Sequence, residues 1–236
     1  MTNGKSEKVD YGVPEQYAFH VEDAFRLIKE NLLEYWQIYI KYARDNKLDQ
    51  FVPQKYYTPV LLIGPPGIGK SSLVFEMAKE ITIELGLPYY EGKDEFISPI
   101  NVIDLRLSQI LPEDLKGLPK FSKEEDIVKW VLPEFLPRKG MGILFLDELN
   151  LAPPAVQKAA YSLILERRLG GTMYEGSKEN SKIIFKPKKE TGYVLPKGWV
   201  VIAAQNPEEQ AQVATPLPPP LINRFRILWV ITPRLI

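Results

Sequence analysis

The chain has 236 residues and a mass of 27.0 kDa, room for one large domain with a helical extension and hardly for two. Its 45% hydrophobic and 25% charged residues are an average globular composition, which excludes disordered, collagen-like and coiled-coil chains. Thirty basic residues balance thirty acidic ones and cysteine is absent, so bulk charge does not hold the chain on nucleic acid or an anionic membrane, and disulfides, thiolate nucleophiles and cysteine-ligated zinc are excluded.

His20 is the only histidine. A His-rich metal site is therefore excluded, and a Ser-His-Asp triad would depend on this one ring, which reads more simply as a residue near the start of an N-terminal helix. No stretch approaches the ~20 consecutive apolar residues of a membrane span, and the polar start MTNGKSEKVD lacks the apolar core of a signal peptide. A cytoplasmic protein is expected. Lack of cysteine suits reducing cytosol as well as a hot habitat, and composition does not choose between them.

The first ~18 residues are polar without an apolar period and are expected to fray. From Val21 to about Leu48, the residues Val21, Phe25, Ile28, Leu32, Trp36, Ile40 and Ala43 recur at three- and four-residue steps, predicting one amphipathic helix or two in line. That helix either packs on the domain that follows or binds a partner. The division expected is residues 1–50 as tail and helical extension, and 51–236 as the core.

Beyond Pro53, short apolar runs alternate with helical patterns. The runs are Val60–Ile63, Val102–Leu107, Ile143–Leu146, Trp199–Ala204 and Ile227–Ile231; the helices are Ser71–Leu85 and Ala155–Leu169. Continuous rather than alternating apolar runs fit parallel strands covered on both faces. The expected fold is α/β, a three-layer αβα domain on a mostly parallel five-stranded sheet. Two stretches interrupt the rhythm. Leu111–Gly140 is rich in Pro and Gly, with a short charged helix pattern near Lys123–Trp130. Gly170–Gly198 reads as a hairpin around Ile183–Phe185. Its Lys186, Lys188 and Lys189 either touch nucleic acid or blunt a solvated hairpin edge. Thr215–Leu221, TPLPPPL, reads as a rigid extended turn ahead of Asn223-Arg224-Phe225.

Gly64-Pro65-Pro66-Gly67-Ile68-Gly69-Lys70-Ser71-Ser72 follows an apolar strand and opens a helix, the context that a phosphate-binding loop requires. Glycines let the backbone curl so that successive N–H groups face phosphate oxygens, and the helix N-terminus adds the positive end of its dipole. Lys70 reaches the β- and γ-phosphates, and the Ser71 hydroxyl is placed to ligate Mg2+. Ile143–Leu146 then ends in Asp147-Glu148, two carboxylates at the sheet edge where the phosphates lie. Asp147 can hold magnesium through water, and Glu148 can polarise the water that attacks the γ-phosphate. The pair predicts hydrolysis, and it speaks against a small-molecule kinase on the same loop. Asn206, after Trp199–Ala204, either orients the attacking water or simply forms a turn with Pro207. Arg224 either serves a phosphate or pairs with a nearby acid. Arg167 and Arg168 either face a neighbouring subunit's nucleotide or complement a helix end, and Arg106 is equally open.

These motifs in this order resemble the AAA+ superfamily. VIDLRLSQILPEDLKGLP (102–119), FLDELNLAPPAVQKAAYSLILERRLGG (145–171) and VVIAAQNP (200–207) resemble its MoxR branch. The likeness spans about Pro59 to Ile231. It implies that Gly64–Ser72 is Walker A, Asp147 and Glu148 are Walker B, Asn206 is sensor 1 and Arg224 is an arginine finger. It further implies an ATP- and Mg2+-dependent ATPase in a homo-oligomeric ring, a hexamer by preference, that remodels or matures a protein client, often beside a partner with a von Willebrand factor A domain. The family's helical lid is not found before Ile236, so it is expected either to have been removed from a longer protein or to come from a partner. A nucleic-acid motor or loader on the same fold is the rival function; neutral charge and the lack of a basic aromatic surface argue against it.

Overall fold

A computed structural model describes residues 18–91, 96–122, 127–179, 182–207 and 216–231. In chain order its elements are β1 (Ala18–His20), α1 (Val21–Arg44), β2 (Val60–Ile63), α2 (Lys70–Glu84), β3 (Tyr90–Glu91), β4 (Phe96–Ile97), β5 (Ile100–Arg106), α3 (Pro112–Lys116), β6 (Leu118–Ser122), β7 (Ile127–Val131), β8 (Met141–Asp147), α4 (Pro154–Glu166), β9 (Arg168–Glu179), β10 (Lys182–Val194), β11 (Gly198–Gln205), α5 (Pro219–Ile222) and β12 (Arg226–Ile231).

The main sheet has the order β1-β12-β2-β11-β8-β5, and every pairing in it is parallel. Side-chain alternation divides the interior into two layers. Val60, Leu62, Ile143, Phe145, Val200, Ile202, Leu228 and Val230 pack with α1 and α2 on one face. Leu61, Ile63, Leu144, Leu146, Val201 and Ala203 pack with α4 on the other. This is the three-layer α/β arrangement expected, built on six strands instead of five. The added strand is β1, paired through Ala18–His20 to Trp229–Ile231. Three residues are too few to display a period, so only the pairing reveals this strand. His20 ends it in extended conformation and precedes α1 as its N-cap.

The first helix stops at Arg44 rather than near Leu48, and a turn follows. Its buried stripe, Val21, Ala24, Ile28, Leu32, Tyr35 and Trp36, lies against the sheet. Trp36 Nε1 donates to the carbonyl of Gly198 at 2.8 Å and the Tyr35 hydroxyl donates to that of Lys197, so α1 is anchored at the start of β11.

Three local expectations are corrected. The stretch near Lys123–Trp130 is not helical where it is described: β7 pairs antiparallel with β6, because Ile127, Val128, Trp130 and Val131 are β-branched or aromatic. Residues 123–126 lie outside the described residues. The segment before Asn223 is not wholly extended: Pro219 starts a single helical turn, α5, since proline's fixed φ suits a first helical position. Thr215 lies outside the described residues. The second interruption is the expected hairpin, β9 with β10, but it begins at Arg168, and α4 ends at Glu166 instead of Leu169. The side chains of Lys186, Lys188 and Lys189 lie outside the described residues.

Trp36 is fully buried. Trp36→Ala should therefore cost about 3–5 kcal/mol of stability in a chemical-denaturation measurement. A loss below about 1 kcal/mol, within the range of surface substitutions, would mean that α1 rests on the sheet without belonging to its core.

Candidate nucleotide site

The parallel sheet brings the C-terminal ends of β2, β5, β8 and β11 to one edge, where Ile63 aligns with Gln205, and Arg106 with Asp147. In an open parallel sheet this is the edge at which ligands bind. The loop from Gly64 leaves β2 there. A Cβ on Gly64 would lie 2.5 Å from the Val230 carbonyl oxygen, so only glycine allows so close an exit beside β12. Gly67 and Gly69 have φ of +79° and +89°, a region that L side chains rarely adopt, and Gly69 is the N-cap of α2. Such a curl, opening onto a helix N-terminus, suits an anion.

Lys70, the first residue of α2, is buried. Its Nζ donates to the carbonyls of Gly64 at 2.7 Å and Pro65 at 2.9 Å, and to Asn206 Oδ1 at 3.1 Å. Burial pushes its pKa down and Asp147 opposes that shift; phosphate oxygens in the loop would stabilise the ammonium further. Ser71 Oγ donates to Asp147 Oδ2 at 3.4 Å. Within the loop Pro66 and Gly67 are exposed, as is Ser72 on α2, while Pro65, Ile68 and Gly69 are half-buried. Lys70, Ser71, Asp147 and Asn206 are thus brought together from three strand ends.

Glu148 has a left-handed backbone, φ 57° and ψ 39°. Its N–H donates to Asp147 Oδ1 at 2.8 Å, and its Oε2 accepts from Ser108 Oγ. The Ser108 hydroxyl, just beyond β5, therefore holds the carboxylate. Sequence reasoning missed Ser108, although its place immediately past a strand at the Asp147 edge is a signal. It missed Asp104 on β5 as well. Asp104 is exposed, yet partial desolvation first and then the charges of Asp147 and Glu148 raise its carboxyl pKa, with Arg106 opposing.

Arg224 lies elsewhere. Arg226 aligns with Val60, and its N–H donates to the Pro59 carbonyl, so exposed Arg224 stands at the N-terminal end of β12. The length of β2, at ~3.3 Å per residue, separates it from the chain's own phosphate loop. Of the two arginines after α4, Arg167 is buried and donates to the carbonyls of Pro196 at 3.0 Å and Trp199 at 2.8 Å. It ties a helix end to β11, whereas Arg168 opens β9.

The residues fit a Mg2+-bound nucleoside triphosphate. Among the described residues no cluster of three or more His, Asp or Glu could hold a metal alone. Mg2+ typically takes one or two protein ligands with phosphate oxygens and waters, and Ser71 and Asp147, whose side chains meet at 3.4 Å, could supply such a pair.

The chain matches the AAA domain (dynein-related subfamily) over residues 59–225. It is 29% identical over 178 residues to midasin of Giardia intestinalis, a stretch covering 75% of this chain and 3% of that protein. Among solved structures it resembles the "putative ATPase" from Cytophaga hutchinsonii at 23% identity, with a TM-score of 0.42, covering 89% of this chain and 55% of that one. That structural likeness is too slight to carry a functional conclusion.

A carboxyl whose pKa is raised by folding destabilises the native state above that pKa and has no effect below its unfolded pKa. Because Asp104 is exposed and its charge screened, Asp104→Asn should raise the melting temperature at pH 7 only slightly, with the gain disappearing as pH falls from the raised pKa into the ordinary carboxylate range. A melting temperature at pH 7 below that of the wild type would contradict the desolvation of Asp104 beside Asp147 and Glu148.

Proposed function

The chain belongs to the dynein-related subfamily of AAA domains, ATPases that use ATP with Mg2+, and on that premise we propose that it is the hydrolytic core of a MoxR-like ring that remodels a protein client. The observation that carries this reading is the meeting of Lys70, Ser71, Asp147 and Asn206 at one sheet edge, with Glu148 the next residue in the chain.

In this proposal the loop Gly64–Ser72 cradles the phosphates and Lys70 leaves its carbonyl partners to pair with the β- and γ-phosphate oxygens. Ser71 and Asp147 would hold Mg2+, which would supply neutralisation of the charge that develops on the phosphates. Glu148, once released by Ser108, polarises the attacking water, and Asn206 orients it. Arg224 serves the nucleotide of the neighbouring subunit, a role supported by its exposure at the sheet end remote from its own loop. Residues 1–50 are the N-terminal extension and 51–236 the core. The ring is a hexamer by preference, in the cytoplasm, and it acts on its client beside a partner with a von Willebrand factor A domain. Among the described residues no helix is long and apolar enough to cross a membrane.

Mixing two inactive variants of the full chain tests the shared site. Arg224→Ala should bind ATP but not turn it over, since such arginines contribute about 10³–10⁵ in rate, and Lys70→Ala should not bind. In mixed rings some interfaces join an intact loop to an intact arginine, and ATPase activity should reappear. Mixed rings that form and stay inactive at every ratio would contradict the trans role of Arg224.

A further inference from the structure

We propose that Asn150 is a positioning residue for ATP hydrolysis: its buried amide fixes the backbone of Asn206, so that the Asn206 side chain stands at the phosphate end of the loop. The proposal rests on the reading of Asn206 given under Proposed function.

Asn150 lies in the single turn Leu149–Leu151, directly after Asp147-Glu148 and before α4. It is 1% exposed. Its Nδ2 donates to the Asn206 backbone carbonyl at 2.9 Å, and Asn206 Oδ1 in turn accepts from Lys70 Nζ at 3.1 Å. A short polar chain thus joins the strand end bearing both carboxylates to the one bearing Asn206, and both to the phosphate loop.

The other half of the Asn150 amide makes the role specific. Among the described residues its Oδ1 is buried without a hydrogen-bond partner, a cost that packing alone does not require. A leucine has a similar size and carries no polar atom to leave unpaired, though it gives up the donor to the Asn206 carbonyl. The asparagine adds one thing that leucine lacks, the bond to Asn206. Among the described residues, the neighbouring Gln205 carbonyl accepts from the Gly64 N–H at 3.3 Å, Pro207 has no N–H to donate, and Gln205 Oε1 is buried without a partner. Among the described residues, the Asn206 side chain accepts from Lys70, a contact given up when Lys70 turns to phosphate. From then on Asn150 holds Asn206 in register.

The test uses the full chain under conditions in which the wild type hydrolyses ATP. Asn150→Leu removes the bond and the orphaned acceptor together, and Asn150→Ala is a smaller second variant. Both should keep the fold, with ATP Kd and KM within about threefold of wild type, while kcat falls by roughly 10²-fold, the order that a small misplacement costs. Combined with Asn206→Ala, neither should lower kcat further, because the two residues act as one unit. A folded Asn150 variant with wild-type kcat, multiplicative losses in the double variants, or loss of fold in both single variants would each overturn the proposal. If Asn206→Ala alone keeps full kcat, the role given to Asn206 fails and this inference falls with it. An impaired Asn206→Ala beside fully active Asn150 variants sinks only the inference about Asn150.

Discussion

The site depends on the parallel register of β2 between β11 and β12. Val60–Ile63 is buried on both faces and hydrogen-bonded on both sides, so the loop that follows has a fixed point of departure. The N–H of Gly64 still reaches the Gln205 carbonyl at 3.3 Å, the last contact before the chain curls away. Because every pairing in this sheet is parallel, the end of β2 is also the end of β8 and β11. One register therefore delivers Lys70, Asp147 and Asn206 to the same edge, and sends Arg224 to the other. The fold thus sets Lys70, Asp147 and Asn206 at one edge of the sheet and Arg224 at the other.

Two polar contacts latch that edge. A buried ammonium needs partners, and Lys70 finds three neutral acceptors, two backbone carbonyls and Asn206 Oδ1. Glu148 is held by the Ser108 hydroxyl. Both arrangements satisfy a charged group with neutral partners, and charge-assisted bonds to phosphate are the stronger kind. In the function proposed, a triphosphate would compete for Lys70, while the Ser108–Glu148 bond is a separate contact that phosphate does not itself replace.

Much of this was legible in the sequence because it rests on continuous apolar runs and on glycines at fixed spacing. Ile143–Leu146 with Asp147 reads as a buried strand ending in an acid wherever it is met, and Gly64–Ser71 carries its own backbone requirements. Contacts between distant segments were not legible. β1 is three residues long and exists by pairing with Trp229–Ile231. The β6–β7 hairpin was obscured by charges at 123–126 that suggested a helix. Ser108 and Asn150 are ordinary polar residues in their local stretches, and only the sheet brings them to Glu148 and Asn206. The choice between Arg167 and Arg168 likewise required the carbonyls of Pro196 and Trp199, which a list of helix-end residues does not contain.

The central claim is that the edge built around Lys70 is a Mg2+–ATP site. Titration calorimetry of ATP with Mg2+ into the wild-type chain and into Lys70→Ala tests it most directly. The account requires saturable binding to the wild type and its loss in the variant, because no other side chain in the loop offers a positive charge to the β- and γ-phosphates. ATP affinity unchanged by Lys70→Ala, in a variant that melts like the wild type, would contradict it.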